Sequence, residues 1–191
     1  MDADSHPDNG SRLDAGGPGA GEPEDPPGDP ESVARLICLR LLDNAPRTRA
    51  QLAAALHRKG VPDDAAQTVL NRFSDVGLID DQAFAEAWVS SRHSGRGLAS
   101  RALRQELSRR GVDQQTAADA AAGLDADTER QTARTLVRRR KQRLTGLAPD
   151  VAVRRLVGML ARKGYPPGLA YAVVQEELSG ATDVPPPDLD V

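Results

Sequence analysis

Leu103-Arg104-Gln105-Glu106-Leu107-Ser108-Arg109-Arg110-Gly111-Val112-Asp113 decides the fold because the same order occurs three times. It returns as Leu52, Leu56, Arg58, Lys59, Gly60, Val61, Pro62 and as Leu156, Leu160, Arg162, Lys163, Gly164, Tyr165, Pro166. In each copy two leucines four residues apart mark the buried stripe of a helix, and two bases occupy its last turn, where the macrodipole is negative. Glycine then takes a left-handed position that a side chain with a β-carbon holds only at a cost. The next residue, Val61, Val112 or Tyr165, can fold back onto the helix in a Schellman contact, while Pro62, Asp113 and Pro166 suit the start of a new helix. The glycines lie 51 and 53 residues apart. That is room for three short helices per unit, since helices average about 11–12 residues and connections are short.

Working outward, helix signals recur along residues 31–179. Val33, Leu36, Ile37 and Leu41 form one amphipathic stripe that ends near Asn44 and Pro46. Thr48 and Gln51 make a capping-box pair ahead of Leu52. Ala66, Val69, Leu70, Phe73 and Val76 follow until Gly77. In the second unit Asp80 or Asp81 caps a helix whose inner face includes Phe84 and Trp88, and Ser90 to Gly97 reads as a break able to turn sharply. The helix of Leu103 and Leu107 comes next, then a nearly all-alanine helix from Asp113 to about Ala122. In the third unit Asp125 or Asp127 caps a helix carrying Ala133, Leu136 and Val137, with Arg130, Arg134 and Arg138 at four-residue spacing on another side. Val153, Leu156, Val157 and Leu160, then Leu169, Val173, Val174 and Leu178, give the last two stripes.

The expected fold is therefore all-α: three tandem three-helix repeats, residues 31–77, 78–123 and 124–179, in an elongated curved array. Aromatic content of 3% against abundant Ala, Leu and Arg favours helix over sheet. Residues 1–30 are acidic and rich in Gly and Pro, and 180–191 are similar, so both read as disordered tails. A single cysteine, Cys38, leaves no internal disulfide and fits a reducing cytosol. No apolar run approaches the roughly 20 residues of a membrane span, so a cytoplasmic protein with no membrane contact is expected.

The overall charge of −3 hides an uneven distribution, because residues 32–178 carry 24 basic against 16 acidic residues. A basic body between acidic ends points to an anionic partner. Arg92, Arg96, Arg101 and Arg104 flank the glycine break with few acids nearby, and Arg138, Arg139, Arg140, Lys141 and Arg143 repel one another until an anion relieves them. Arg109 and Arg110 join these basic faces, although helix-end cations such as these, Arg58, Lys59, Arg162 and Lys163 already stabilise a helix terminus by roughly 0.3–1 kcal/mol each. The phosphate loop Gly-x-x-x-x-Gly-Lys-Ser/Thr is absent, and His6, His57 and His93 are scattered without metal-ligand spacing. No catalytic residue, metal or cofactor is expected; His57 and His93 read as surface or packing, and Phe84 and Trp88 as core.

Gly77-Leu78-Ile79-Asp80-Asp81 with Phe84 and Ala85, then Arg92, Gly95, Leu103-Arg104-Gln105-Glu106-Leu107 and Arg110-Gly111-Val112, resembles the RecX family of bacterial recombination regulators. The outer units match through Leu-x-x-x-Leu-x-x-Lys/Arg-Gly more loosely, and the resemblance spans about residues 32–178. It implies three tandem three-helix repeats that bind the RecA recombinase, above all its filament on single-stranded DNA. It further implies modulation, mostly inhibition, of RecA's ATPase, strand-exchange and coprotease activities in recombination, DNA repair and the SOS response, without enzymatic activity. A monomer with possible non-specific contact to single- or double-stranded DNA is the accompanying expectation. The alternative is a helix-turn-helix regulator of duplex DNA; against it, the helices after Gly60, Gly111 and Gly164 carry only Arg72 among them, whereas a recognition helix needs donors aimed at base edges.

Overall fold

The computed structural model describes residues 28–179, and the expectations for the tails at 1–27 and 180–191 lie outside them. Nine helices and no strand occupy the described residues: α1 (Pro30–Asn44), α2 (Arg49–Arg58), α3 (Asp63–Asp75), α4 (Asp81–Arg96), α5 (Ser100–Arg109), α6 (Gln114–Ala122), α7 (Ala126–Lys141), α8 (Pro149–Arg162) and α9 (Pro167–Ser179). They form an elongated array of three three-helix units, each packed chiefly on itself.

The repeated stretch builds the same turn three times. Gly60, Gly111 and Gly164 have φ of 74°, 82° and 91°. Val61, Val112 and Tyr165 each donate their N–H five residues back, to Leu56, Leu107 and Leu160 at 3.1–3.2 Å, while each glycine N–H reaches back three residues. This is a full Schellman closure. It sends Val61, Val112 and Tyr165 into the cores beside the leucines that precede them, all buried. Each such side chain removed from water contributes about 1.5–3 kcal/mol.

Each unit has its own apolar cluster: Cys38, Leu52, Leu56, Leu70 and Phe73 in the first, Ala85, Val89, Leu103 and Leu107 in the second, Val137, Leu156, Leu160, Val173 and Val174 in the third. Ala117 and Ala120 of α6 lie in the second cluster, short side chains that let α6 sit close against α4 and α5. The expected break at Ser90–Gly97 is confined to its last residue. Helix α4 continues to Arg96, held down by buried Val89 and His93, and the chain turns only at Gly97, with φ of 62°.

Two narrow seams join the units, and both reuse the glycine turn. Thr48, which caps α2 by accepting from the Gln51 N–H, donates its hydroxyl to the Arg110 carbonyl at 2.7 Å, where α5 ends. The Ala99 N–H at the start of α5 donates to the Lys163 carbonyl at 2.9 Å, where α8 ends. The end of α8 thus meets the start of α5, and the end of α5 the start of α2, so that opposite dipole ends adjoin. A β-carbon on Gly111 would stand 2.2 Å from Ala50 Cβ, and one on Gly164 2.6 Å from Ala102 Cβ, whereas nothing lies within 4 Å of Gly60. At each seam the first amide of the middle helix also finds a carboxylate of the next unit: Arg49 N–H to Asp81 at 2.9 Å, Ser100 N–H to Glu129 at 2.6 Å. Helix α8 opens instead with Pro149, which has no N–H to satisfy.

The second seam has further ties. The His93 Nδ1–H donates to the Leu98 carbonyl and Nε2 meets the Thr132 hydroxyl, each at 2.9 Å. The Tyr165 hydroxyl donates to the Gly97 carbonyl at 3.1 Å. Burial, reinforced by the Glu129 carboxylate, holds that phenol above its usual range and keeps it a donor.

Gly60→Ala should cost about 1–2 kcal/mol for the left-handed backbone alone, whereas Gly111→Ala and Gly164→Ala should cost about 3 kcal/mol or more by adding a collision with the neighbouring helix. Urea midpoints followed by circular dichroism measure the difference; equal losses at the three glycines would contradict a role for the turns as seams.

Candidate anionic-partner interface

Helix geometry distributes the basic residues over several directions. On the outer side of α5 and α6, Arg101, Arg104 and Arg109 surround a groove of about 540 Å³ with Gln105, Ser108 and Gln114. At the second seam Arg96 of α4 and Arg139 of α7 meet Lys163 across a groove of about 660 Å³ lined by Thr128, Gln131, Thr132 and Thr135, and the Lys163 ammonium donates to the Arg96 carbonyl. Between α7 and α8, Arg140, Arg154, Arg155 and Arg162 surround a third groove of about 580 Å³ over Gly158 and Met159. None of the three is lined by a carboxylate. Unneutralised guanidiniums with neutral donors between them suit phosphate or carboxylate oxygens, which Arg can grip through two N–H groups.

The dense run of α7 is therefore not one patch. Arg138 turns to α9 and pairs with Glu177 at 2.8 Å, and the Lys141 ammonium donates to the Glu177 carbonyl at 2.5 Å. Arg139 and Arg140 enter different grooves, and Arg143 lies exposed in the turn after α7. The stripe of Arg130 and Arg134 is occupied as well, both holding Glu176, at 2.9 and 2.7 Å. The hydrogen bond from Arg134, and the charges of Arg134 and Arg130, keep the Glu176 carboxyl below the usual glutamate range.

Arg92 and Arg110 stand apart from the grooves. Their guanidiniums lie 4.1 and 3.6 Å from the centre of the Trp88 ring. Trp88, expected in the core, is half-buried; it stacks on Phe84 and donates to Glu106 at 3.0 Å. Arg154 and Arg155 are residues that sequence reasoning missed. A signal for one was available: Arg154 and Arg162 follow Arg101 and Arg109 by the 53 residues that separate Gly164 from Gly111.

Among the described residues no three His, Cys, Asp or Glu side chains are grouped to hold a metal ion, and no helix is long and apolar enough to cross a membrane. The third helices of the units present little to a duplex: Arg72 of α3 pairs with Glu31 at 2.8 Å, and α6 and α9 carry no base.

The family profiles for the first, second and third three-helix domains of RecX match residues 34–73, 80–120 and 127–174 in turn. A regulatory protein RecX of Thermobifida fusca is 55% identical over 165 residues, 85% of this chain and 89% of the relative. This chain belongs to the RecX family. A Streptomyces coelicolor RecX is 54% identical over 157 residues, 82% and 84% of the two chains. The crystal structure of RecX from Lactobacillus salivarius superimposes with a TM-score of 0.74 at 21% identity, covering 79% of this chain and 98% of that one, which shows a shared fold. The relatives carry the name of a regulatory protein, and the role of this RecX-family chain is accordingly regulatory.

For this RecX-family chain the Glu176 clamp gives a pH prediction. Because the folded value is depressed, the stabilisation is complete above the ordinary glutamate range and is lost as pH falls through the depressed value. Carboxyl carbon NMR should find Glu176 titrating below a free glutamate and returning toward it in Arg134→Ala; an unchanged titration in that variant would contradict the pairing.

Proposed function

We propose that this protein binds the RecA filament on single-stranded DNA and restrains its ATP hydrolysis, strand exchange and coprotease activity, as part of the control of recombination, repair and the SOS response. The observation that supports this reading is the set of carboxylate-free cationic grooves on consecutive parts of the array, one on α5/α6, one at the second seam and one on α7/α8. A long partner with regularly spaced negative charge, a phosphate backbone coated by protein subunits, meets such a series at several points at once. Each contact is weak and salt-screened, but contacts linked through a fixed frame reinforce one another. Restraint then follows mechanically: a ligand that spans neighbouring subunits holds their relative positions, and turnover that requires those positions to change is slowed.

The reading assigns Arg96, Arg101, Arg104, Arg109, Arg139 and Arg140, with Arg154, Arg155 and Arg162, to the partner surface. It assigns Arg138 and Lys141 mainly to holding α9, since the Glu177 carboxylate and carbonyl already engage them.

ATP hydrolysis by RecA on single-stranded DNA should fall as this protein is added, and less so as salt rises. Arg154→Glu with Arg155→Glu should raise the half-inhibitory concentration by about tenfold or more, because repulsion replaces attraction in a groove without carboxylates. Arg138→Glu should shift it much less. Unchanged hydrolysis at saturating wild-type protein would overturn the proposal.

A further inference from the structure

The groove between α7 and α8 is built for close approach as well as for charge. Arg140, Arg154, Arg155 and Arg162 around it are exposed, and none is in an ion pair among the described residues. Between them lie Gly158 and Met159, both half-buried. Glycine weakens the interior of a helix, and it is the residue that lets another group come up against the backbone. Nothing inside the protein demands it here. A β-carbon on Gly158 would stand 3.5 Å from the Arg162 guanidinium, an ordinary contact, and the equivalent place on α5, 53 residues earlier, holds Gln105.

The chain itself brings acids to this end of the third unit. Helix α9 closes at Ser179 beside the end of α7, where the Lys141 ammonium donates to the Glu177 carbonyl at 2.5 Å and Arg138 holds the Glu177 carboxylate. Arg140 is the residue before Lys141, about 3.8 Å away along the backbone. Residues 180–191 carry Asp183, Asp188 and Asp190 without a base, and Leu189 stands between the last two. From Ser179 to Asp188 the chain can reach about 30 Å, enough to pass the end of α7 and enter the groove. Residues 1–27 are also acidic, but they join α1, which packs within the first unit. A tether from there is longer and holds its acids at a lower effective concentration.

Building on the reading of this groove as part of the partner surface, we propose that Asp188-Leu189-Asp190 docks in it and shields it. The two carboxylates meet the arginines, and Leu189 lies over Gly158 and Met159. Exposed ion pairs of this kind are individually weak and screened by salt, so a separate peptide of this sequence would hold poorly. A short tether raises the effective concentration to the millimolar range, and the contact is then populated. Pro185, Pro186 and Pro187 reduce the conformational freedom that docking removes. A polymer with many negative charges, engaging several grooves at once, displaces the segment; a single isolated anion competes poorly.

Docking and shielding are read separately on the full-length protein. Cys38 is buried, so a nitroxide is placed on Val191→Cys and the amide NMR signals of Gly158 and Met159 are followed. Those signals should broaden at low salt, recover at high salt, and recover also when Asp183→Asn, Asp188→Asn and Asp190→Asn are combined. With unchanged helical circular dichroism, the triple variant without the label should inhibit RecA ATP hydrolysis at about threefold lower concentration than the wild type. Absence of broadening, or broadening kept in the triple variant, overturns the docking. Broadening produced instead by a nitroxide on Ser11→Cys names residues 1–27 as the occupant and equally overturns it. Equal inhibition by wild type and triple variant overturns the shielding. Broadening that follows the expected pattern while the wild type leaves hydrolysis unchanged supports the docking and overturns the recombinase reading alone.

Discussion

A glycine that must hold a left-handed backbone at the end of a helix, and must also leave room for the start of another, is the constraint on which this molecule depends. At Gly111 and Gly164 the two demands coincide, because the Schellman closure that buries Val112 or Tyr165 also presents bare backbone to Ala50 or Ala102. A larger residue would strain the turn and part the units together. Gly60 answers only the first demand, since nothing among the described residues lies within 4 Å of the place its β-carbon would take.

From that contact the rest of the architecture follows. A helix end against a helix start is a small joint, so each unit must carry its own core, and each does. The joint sets α8, α5 and α2 end to start and hands the first amides of α2 and α5 to Asp81 and Glu129. Helix α8, the third middle helix among the described residues, opens with proline and has no N–H there to satisfy. The same alignment repeats surface as well as core. Arg101 with Arg109, and Arg154 with Arg162, line grooves on successive units because they occupy equivalent places on equivalent helices.

The charge distribution then divides by function of position rather than by density. Glu176 and Glu177 draw Arg130, Arg134, Arg138 and Lys141 inward to pin α9, while bases one residue away point into grooves that hold no acid. A step of one residue, about 100° around the helix, separates an arginine held by α9 from one in an open groove. In the second unit the indole of Trp88 does similar sorting, gathering Arg92 and Arg110 over its ring and leaving Arg101, Arg104 and Arg109 on the far side of α5.

The sequence by itself determined the helices, their closures and the threefold repetition, because these rest on short-range rules: apolar spacing, capping by Thr48, Asp113 and Asp125, and a glycine after two bases. It also carried the family. It misjudged Ser90–Gly97, where packing of Val89 and His93 extends α4 against the local Ser and Gly content, while Phe84 and Trp88, read as core, pack half-buried against the second unit's cluster. Only the tertiary structure decided which arginines are engaged and which stand in open grooves. An ion pair such as Arg138 with Glu177 joins residues 39 apart in sequence, and no local rule says which face of α7 its neighbour α9 will cover.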